Sequence, residues 1–547
     1  MDIVRFILIF LIAGTAYYLL LQWPPIETVH STNESSPLYE ELESSSKDSL
    51  SPLQPPALSS PDPEVVSSKR VSSFKSFFVE NDVLKLKIEG ETGAVNSAVL
   101  KKVKRNAFGE DSLDFLSSEP SRSYFLNSGF FLNSGAFIKP KFLSMKESTT
   151  SEGWKSYSLR GEDEGLGFER LVILKPELYS VTVTDKVVAK NISGPTTITP
   201  YAIINRDGFA VKGDAFAYAY LGPVFSTQEE RFEKISFEDL AEESFKKSSP
   251  GGWSALIQHY FLSAWVPDQS KTFLFQARKN SNNRFSVGYT EAPVTLEKQG
   301  DTASSSNTLY VGPKLAKQLD KLHPDLDLVL DYGFLWWLGV PIYWLLGFGY
   351  EIFQNWGVAI IFLTIMLKLL LWPLSASAYR SMGKMRTLTP KLQALQSQHG
   401  DDKQKMGQAM MELYKKEGVN PLGGCLPMLA QMPFFLAFYW VLVETVELRH
   451  SPFVFWITDL SSKDPLFVLP ILNAAGMYYS QKLTPTPPNA DPMQAQMMKY
   501  FPLVFALIFA WFPAGLVLYW LVNMLVTLLQ QWWYYRKEGG SVFSSES

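Results

Sequence analysis

A single lysine inside an apolar stretch is the residue whose type and position could do chemistry. Lys368 lies in the segment Trp356 to Trp372, where almost all neighbouring residues are Ile, Leu, Met or Phe. An ammonium at the bilayer centre costs roughly 2.5 to 3.5 kcal/mol on insertion scales, so it needs a compensating environment. Two interpretations are open. Its long stem could lift the charge to the headgroups near Trp372, or the charge could line a water-filled cavity and attract anionic groups.

Polar side chains in the same and neighbouring apolar segments could help to wet such a cavity. They are Thr364, Gln431, Asn523 and Thr527. Each of these residue types, taken alone, more often serves as a hydrogen-bonding contact between packed helices. The four residues are therefore candidate site residues only in combination with Lys368.

Most other kinds of chemical site are not encoded. The single cysteine, Cys425, excludes internal disulfides and multi-cysteine metal sites, and the five histidines have no ligand-like spacing. There is no Gly-rich phosphate loop ending in Lys-Ser/Thr, no His-Glu-x-x-His and no Gly-x-Ser-x-Gly motif. Glu444 and Glu447 fall near the end of their apolar segment and are expected to face water. The sequence thus predicts no enzyme, no metal site and no cofactor.

The net charge also narrows the function. The chain has 50 Lys+Arg against 54 Asp+Glu, a net charge of -4. A nucleic-acid-binding protein needs a basic face, so this balance argues against direct nucleic-acid binding.

Apolar segments of the C-terminal half must position these side chains. Tyr332 to Tyr350 contains Pro341 and many aromatics, so it either spans a bilayer or lies flat at its surface. Phe512-Pro513-Ala514-Gly515 offers a break that splits the last apolar segment into two helices. The clear membrane-spanning candidates are Trp356 to Trp372, Leu426 to Val446, Pro465 to Leu483 and Met493 to Tyr535.

A basic loop orients these segments. Ser375 to Cys425 carries eight Lys/Arg, which marks this loop as cytoplasmic. If Tyr332 to Tyr350 lies flat, the chain has six spans, both termini are cytoplasmic, and the region before residue 313 is extracytoplasmic.

The basic loop itself predicts a helical hairpin at residues 380–418. Thr389-Pro390 is a typical helix start, His399-Gly400 a stop and Gly418 a second stop. Its basic residues are either only the topology signal or a surface that meets a partner or an incoming chain. The candidates are Lys384, Arg386, Lys391, Lys403, Lys405, Lys415 and Lys416.

The N-terminal half has a different pattern. Ile3 to Leu21 predicts an uncleaved transmembrane anchor within residues 1–23, and the Ser/Pro-rich residues 24–72 predict a flexible linker. Short alternating apolar and polar runs in residues 73–312 predict a large antiparallel β domain. Lys314 to Leu330 has leucines at helical spacing and predicts an amphipathic helix interrupted at Pro324.

Four stretches form long motifs, which are Asn420-Pro421-Leu422-Gly423-Gly424-Cys425-Leu426-Pro427, Gln431-Met432-Pro433-Phe434-Phe435, Asp491-Pro492-Met493-Gln494 and Phe512-Pro513-Ala514-Gly515-Leu516-Val517-Leu518-Tyr519-Trp520. Together they resemble the YidC/Oxa/Alb family of membrane protein insertases. The order of anchor, large domain and five further spans resembles the Gram-negative form. The resemblance implies a polytopic α-helical membrane protein with six transmembrane helices and a periplasmic all-β supersandwich domain. The implied segments are the β domain at 73–312, interfacial helices at 313–350, a five-helix insertase core at 351–535 and a short cytoplasmic tail at 536–547.

The resemblance also implies a function. It implies an inner-membrane insertase and chaperone that works through a hydrophilic groove open to cytoplasm and lipid, alone or with the Sec translocon. The family usually has arginine where this chain has Lys368, and its charge draws the polar tail of a substrate into the groove. Lysine keeps the charge but loses the bidentate geometry of arginine. The resemblance assigns substrate contacts to Thr364 and to the apolar residues Trp372, Met432, Phe435, Phe505, Phe509 and Trp520.

The implied partners are nascent membrane proteins, the lipid bilayer, the Sec translocon and the ribosome. After Arg536-Lys537 the tail has no basic run, so ribosome contact would fall to the basic hairpin. Two other functions stay open. The first is a secondary transporter of an anionic solute that uses Lys368, and the second is an enzyme whose β domain handles a carbohydrate.

Overall fold

A computed structural model describes residues 75–106, 109–119, 122–207, 220–280, 283–399, 403–418, 426–483 and 492–537. The predicted anchor, the predicted linker, the motif at 420–425 and the tail beyond Lys537 lie outside the described residues. The chain divides into two compact units, one of residues 55–485 and 502–547, the other of residues 1–54 and 486–501. All contacts reported below lie within the first unit. Of the second, residues 492–501 are described, and they are helical.

Two antiparallel sheets form the N-terminal domain. In spatial order, the first sheet contains β1 (Ser76–Glu80), β2 (Leu84–Glu89), β3 (Val95–Lys104), β6 (Arg122–Leu132), β11 (Thr196–Asp207), β18 (Arg284–Thr290), β17 (Thr272–Lys279) and β14 (Phe245–Pro250). Three short strands pair with β3, β6 and β11, and these are β4 (Ser112–Asp114), β5 (Ser117–Glu119) and β19 (Val294–Leu296). The second sheet contains β13 (Glu233–Lys234), β12 (Gly222–Ser226), β15 (Trp253–Ile257), β16 (Phe261–Val266), β20 (Thr302–Pro313), β10 (Ser180–Ala189), β9 (Leu166–Leu174), β8 (Lys155–Asp163) and β7 (Phe142–Thr149).

The two sheets pack face to face around one apolar core. In β2, alternate residues are buried, as expected where one face of a strand covers a core. Hydrogen bonds also cross between the sheets. Trp265 Nε1 on β16 donates to the Ile203 carbonyl on β11, and the Tyr289 hydroxyl on β18 donates to Asn307 Oδ1 on β20. The predicted large all-β domain is confirmed as a sandwich, whose strands run from Ser76 to Pro313.

The segment after the sandwich differs from its prediction. Lys314 to Leu330 is not one interrupted amphipathic helix but a single turn, α2 (Ala316–Leu319), followed by a 3₁₀ turn at Leu326–Val329. Another single turn, α1 (Asp239–Glu242), lies within the sandwich domain. The leucine periodicity is explained by packing, because Leu319 and Leu326 are buried in the sandwich core. The turns that carry Leu319 and Leu326 therefore cover the β domain with their apolar faces.

The C-terminal half is helical. Its helices are α3 (Trp336–Phe353), α4 (Trp356–Leu370), α5 (Trp372–His399), α6 (Lys403–Lys416), α7 (Leu426–Glu444), α8 (Val468–Leu483), α9 (Pro492–Phe509) and α10 (Ala514–Lys537). Short 3₁₀ turns occur at Gly333–Leu335 and Val446–Leu448. The predicted break at Phe512 to Gly515 is confirmed, since α9 ends at Phe509 and α10 begins at Ala514.

Length and apolarity mark few of these helices as complete spans. Among the described residues, Ala514–Tyr534 is long and apolar enough to cross a bilayer by itself. Trp356–Leu370 and Trp372–Ser381 pass the same test together, but the chain bends by 62° between them. Pro373 in the first turn of α5 favours a new helix at this bend. Ala430–Glu444 and Tyr500–Phe509 are shorter apolar helices, so the count of six spans stays a prediction.

The predicted hairpin begins earlier than its sequence signals indicated. Thr389-Pro390 does not start a helix, because α5 runs without interruption from Trp372 through Pro390 to His399. Proline costs one backbone hydrogen bond there. The helix continues because Leu388 and Leu392 are buried in a seam against α6. The predicted stop at Gly418 is confirmed, since Gly418, with φ of 61°, follows the end of α6. The described part of α5 reaches His399, and the predicted stop at Gly400 lies outside the described residues.

Candidate functional site

Lys368 is directed into the helical bundle. Its side chain is on α4 and is only 4% exposed. Its Nζ donates to Thr527 Oγ1 on α10 at 2.8 Å and to Gln431 Oε1 on α7 at 3.4 Å. Three helices that are distant in sequence therefore meet at one ammonium. Because the charge lies inside the bundle, this geometry contradicts the interpretation that the stem lifts it out to the headgroups.

The other predicted polar residues have different roles around Lys368. The Thr527 hydroxyl donates to the Asn523 carbonyl one turn earlier at 2.8 Å, which leaves its oxygen free to accept from Lys368. The Asn523 side chain is half-buried. Thr364 is fully buried one turn before Lys368, and its hydroxyl donates to the Ile360 carbonyl of its own helix at 2.7 Å. Lys368, Gln431 and Thr527 therefore form the polar centre.

Four of the six predicted apolar contact residues form an aromatic cluster around Trp520. The Trp520 ring lies 5.0 Å from Phe435, 5.4 Å from Phe505 and 5.7 Å from Phe509, measured between ring centroids. Phe505 and Phe509 also contact each other at 4.3 Å. These rings come from α7, α9 and α10, so the cluster ties three helices together.

The remaining two apolar candidates lie outside this cluster. Met432 on α7 is 42% exposed and is free to contact a partner or lipid. Trp372 packs edge to face against Trp533 on α10, with 5.4 Å between ring centroids. Both are on helices that also border Lys368 or follow directly after it.

The polar centre and the aromatic cluster follow one another along the bundle. On α7, Gln431 precedes Phe435 by one turn, and on α10, Thr527 follows Trp520 by two turns. These two helices run in opposite directions, because the end of α7 and the beginning of α10 both meet the segment 445–467. The aromatic cluster therefore lies nearer to that segment than Lys368 does.

The segment 445–467 closes this end of the bundle. The Ala514 amide donates to the Ser462 carbonyl at 2.7 Å, and the Gly515 amide donates to the Leu460 carbonyl at 2.9 Å. Asp464 accepts from the Leu469 amide at 2.8 Å and from Trp456 Nε1 at 2.9 Å. Segment 445–467 thus covers the end of the bundle that is farther from Lys368. Within the described residues, no group of three or more His, Cys, Asp or Glu side chains could hold a metal ion.

Known proteins resemble this chain over both of its halves. A model of the YidC periplasmic domain matches residues 77–345, and a model of the 60Kd inner membrane protein matches residues 348–540. The chain is 39% identical over 580 residues to the membrane protein insertase YidC of Ectopseudomonas mendocina, covering 98% of each chain. It is 40% identical over 557 residues to the YidC of Azotobacter vinelandii, covering 98% of this chain and 99% of the relative. The chain belongs to the YidC family of membrane protein insertases.

A solved structure is also similar to part of the chain. The active YidC insertase with its first transmembrane domain resolved is similar at 17% identity, with a TM-score of 0.39, over 84% of this chain and 92% of that chain. The family resemblance in the sequence motifs is thus confirmed by full-length relatives. As a member of the YidC family, the chain is a multi-pass inner-membrane protein, and the two-sheet sandwich is its periplasmic domain.

The basic hairpin of this YidC-family chain carries its charges outward. Leu388 and Leu392 on α5 pack against Met410, Leu413 and Tyr414 on α6, which forms the apolar seam. The exposed lysines of the hairpin are Lys384, Lys391, Lys405, Lys415 and Lys416. Lys391 Nζ lies 2.6 Å from Glu417 Oε1. The side chains of the other two candidates, Arg386 and Lys403, are outside the described set.

Sequence reasoning missed one charged pair. Glu444, expected to face water, is only 3% exposed, and its Oε2 accepts from Lys314 Nζ at 2.7 Å. Glu447 is half-buried, and its Oε1 accepts from the Tyr343 hydroxyl at 3.0 Å. Burial raises the pKa of the Glu447 carboxyl above its ordinary value. No local signal could have found the pair, since its two residues lie 130 positions apart.

Proposed function

We propose that this protein is a membrane protein insertase and chaperone in which Lys368 receives the polar segment of an incoming substrate. The observation that carries the proposal is the environment of that ammonium. Lys368 is buried among α4, α7 and α10 and is bound by the neutral oxygens of Gln431 and Thr527. Among the described residues, no carboxylate pairs with Lys368. Its charge is therefore available to attract an acidic or strongly polar peptide segment.

A substrate could bind to Lys368 by replacing one of the hydrogen-bond partners of its ammonium. An ammonium has three donors, and acceptors among the described residues occupy two of them. The contact to Gln431, at 3.4 Å, is the longer of the two and the easier to replace. A substrate carboxylate or backbone carbonyl would take the third donor or displace Gln431.

The apolar part of a substrate would use the aromatic cluster and Met432. Aromatic faces and a flexible thioether accept apolar side chains of varied shape. No bond is broken in this process. Each strongly apolar residue that reaches the bilayer centre contributes roughly 0.3 to 0.6 kcal/mol, and the membrane potential adds about 2.3 kcal/mol per charge per 100 mV. These terms offset the unfavourable transfer of a short polar tail.

The finer topology belongs to the same proposal. The groove opens to cytoplasm and lipid, five helices enclose it, and both termini are cytoplasmic. The aromatic residues Trp336, Trp337, Trp344 and Phe348 are exposed on α3, which supports a position flat at the periplasmic surface. The closed outer end formed by segment 445–467 supports an opening toward the cytoplasm.

The partners follow from the substrate class. Nascent membrane proteins are the substrates, and the Sec translocon is a partner for those with large translocated domains. The exposed lysines of the hairpin provide a cytoplasmic surface for the ribosome. The alternative of a secondary transporter for an anionic solute has no support, because the full-length relatives are insertases by name.

The test is insertion of a single-spanning protein with an acidic tail into liposomes that contain the purified protein. Protease protection of the tail measures insertion for the unaltered protein and for Lys368→Ala, Lys368→Glu and Lys368→Arg. We expect Lys368→Arg to retain most activity and Lys368→Glu to be worse than Lys368→Ala, because a negative charge repels the tail. The matched control is Lys463→Ala, since the Lys463 ammonium lies over the Trp511 ring and not in the polar centre.

Two outcomes would contradict the proposal. Equal insertion by all Lys368 variants would remove the role of the charge. No insertion by the folded, unaltered protein would contradict the insertase function in the absence of other components.

A further inference from the structure

We infer that the Lys314–Glu444 ion pair fixes the periplasmic sandwich to the outer end of α7, and that this attachment positions the groove helix. In this view Glu444 and Lys314 are positioning residues that act through α7. The inference rests on the proposed function, because α7 also carries Gln431, Met432 and Phe435. It gives the periplasmic domain a task that the sequence does not reveal.

The ion pair is buried from both sides. Lys314 is 1% exposed, Glu444 is 3% exposed, and Nζ and Oε2 are 2.7 Å apart. Burying a charge is strongly unfavourable unless its partner is held in a good geometry. Such a pair therefore persists only where two rigid elements are held together. Most of the other ion pairs between described residues have at least one exposed partner, so this pair is unusual in the molecule.

The sandwich holds Lys314 rigidly. The residue directly follows β20, and its amide donates to the Tyr260 carbonyl at 2.9 Å. Pro313 before it is paired in register with Phe261 on β16. A few residues later, Leu319 is buried in the sandwich core. The lysine stem thus projects from a fixed edge of the β domain.

The sandwich supplies a hydrogen-bond donor and a positive charge to the C-terminal end of α7. The last four carbonyls of a helix have no partner within it. His259 Nε2, from the turn between β15 and β16, donates to one of them, the Val443 carbonyl, at 2.8 Å. A cation near this end also interacts favourably with the helix dipole, and Lys314 supplies one. The sandwich therefore both caps α7 and neutralises its terminal glutamate.

A further contact restrains the same end. The Arg449 guanidinium, just beyond α7, donates to the Lys104 carbonyl at 2.8 Å and to the Arg105 carbonyl at 3.1 Å at the end of β3. Three parts of the sandwich thus contact one end of the bundle. These contacts define the orientation of α7 and not only its position.

The geometry transmits this orientation to the groove. Gln431 lies thirteen residues before Glu444, which is about 20 Å along a helix. A tilt of a few degrees at Glu444 would move Gln431 by about 1 to 2 Å, enough to break its hydrogen bond to Lys368. Loss of the attachment would therefore be felt at the polar centre.

The experiment uses the full chain in liposomes, in a Cys425→Ala background. Spin labels at Leu143→Cys on the sandwich and Phe455→Cys beyond α7, two exposed positions, report the distance distribution between the two parts. The variants are Lys314→Met, Glu444→Gln and the exchange Lys314→Glu/Glu444→Lys. Lys317→Met, whose partner Glu351 is also exposed, is the matched control.

We expect each single variant to broaden the distance distribution and to lower insertion by about fivefold or more, the usual range for coupled sites. The exchanged pair should restore a narrow distribution and insertion to within about twofold, because opposite charges again face each other. Restoration by exchange separates positioning from simple loss of a residue. The control should match the unaltered protein in both measurements.

The double variant Lys314→Met/Glu444→Met covers the case in which single variants do not fold. It leaves no charge buried alone, so it should fold, yet show a broad distribution. A narrow distribution with full insertion in the double or single variants would overturn the inference. If the unaltered protein fails to insert, the proposed function fails, whereas the distance distributions still test the attachment.

Discussion

The Lys368 ammonium on α4 donates to the Thr527 hydroxyl on α10 at 2.8 Å, across 159 residues of chain. The same hydroxyl donates to the Asn523 carbonyl, which orients its oxygen toward the lysine. A buried charge is thus held by a neutral group whose own proton is already engaged. Thr527 is the nearer of the two hydrogen-bond acceptors of the buried Lys368 ammonium.

Removing the Thr527 hydroxyl should therefore weaken the polar centre. Thr527→Val keeps the shape of the side chain but removes an acceptor from a charged donor, a loss of about 1.5 to 3 kcal/mol. We expect a lower thermal midpoint in detergent and reduced insertion of an acidic-tailed substrate. Thr364→Val is the matched control, because that hydroxyl serves the Ile360 carbonyl of its own helix. Equal losses in the two variants would contradict this role for Thr527.

The sequence predicted those features that depend on local pattern. The alternation of apolar and polar residues predicted the large antiparallel β domain, and the Phe512 to Gly515 turn predicted the break between α9 and α10. The apolar setting of Lys368 marked it as the central residue, and its partners Gln431 and Thr527 were among the polar candidates within neighbouring apolar segments. The alternating pattern and the turn lie within the features that they predict, whereas Gln431 and Thr527 were candidates because each is a polar residue inside an apolar segment.

The features that were missed depend on contacts between distant segments. Thr389-Pro390 resembles a helix start, but packing of Leu388 and Leu392 against α6 carries α5 through it. Glu444 resembles a water-facing helix end, but the fold brings Lys314 to it from the sandwich. Tertiary contacts overrode the local preference in both cases, and no single segment of sequence contains that information.

The structure predicts different roles for two of the apolar candidates. Trp520 in the aromatic cluster should stabilise the fold, whereas the exposed Met432 should contact the substrate. Trp520→Ala removes ring contacts to Phe435, Phe505 and Phe509 and should cost about 3 kcal/mol of unfolding free energy. Met432→Ala, at an exposed position, should cost less than about 0.5 kcal/mol. Chemical denaturation in detergent measures both. A photo-crosslinking residue placed at position 432 should crosslink to a stalled nascent chain. A comparable loss of stability in Trp520→Ala and Met432→Ala would contradict the separate roles of these two residues.

The hairpin should depend on its apolar seam and not on its surface ion pair. Leu392→Asp places a charge in the seam against α6 and should open the hairpin. Glu417→Gln removes the exposed pair with Lys391 and should leave the hairpin closed. Hydrogen exchange of the backbone amides from residue 388 to 414 reports both. Fast exchange in Glu417→Gln, or slow exchange in Leu392→Asp, would show that the seam is not what holds the helices together.

His323, which lies in the segment that follows the sandwich, should make the stability of the protein depend on pH. Its Nδ1 accepts from the Asp325 amide at 3.2 Å, a bond that the protonated ring cannot make. Burial lowers the pKa of His323 below its ordinary value of 6.5, although the Asp325 carboxylate opposes this in part. The folded state thus binds fewer protons than the unfolded state, so stability is present above pH 6.5 and is lost as the pH falls toward the lowered pKa.

The measurement for His323 is the thermal midpoint between about pH 5.5 and 7.5, where carboxyl groups of ordinary pKa stay ionised. His323→Gln should show a shallower decline toward low pH than the unaltered protein. Part of the decline should remain, because burial also lowers the pKa of His450. An identical pH profile in the variant would exclude His323 as a source.

Asn355 predicts how firmly the start of the Lys368 helix is held. Its Oδ1 accepts from the Val358 amide at 3.1 Å, which caps α4, and its Nδ2 donates to the Phe453 carbonyl at 3.1 Å. Loss of such a cap typically costs about 1 kcal/mol, and the second bond makes a larger loss reasonable here. We expect Asn355→Ala to lower the thermal midpoint and Asn355→Asp, which keeps only the cap, to lower it less. Gln354→Ala, at an exposed position, is the control. If Asn355→Asp were as damaging as Asn355→Ala, the bond to Phe453 and not the cap would hold α4, and segment 445–467 would then fix the helix that carries Lys368.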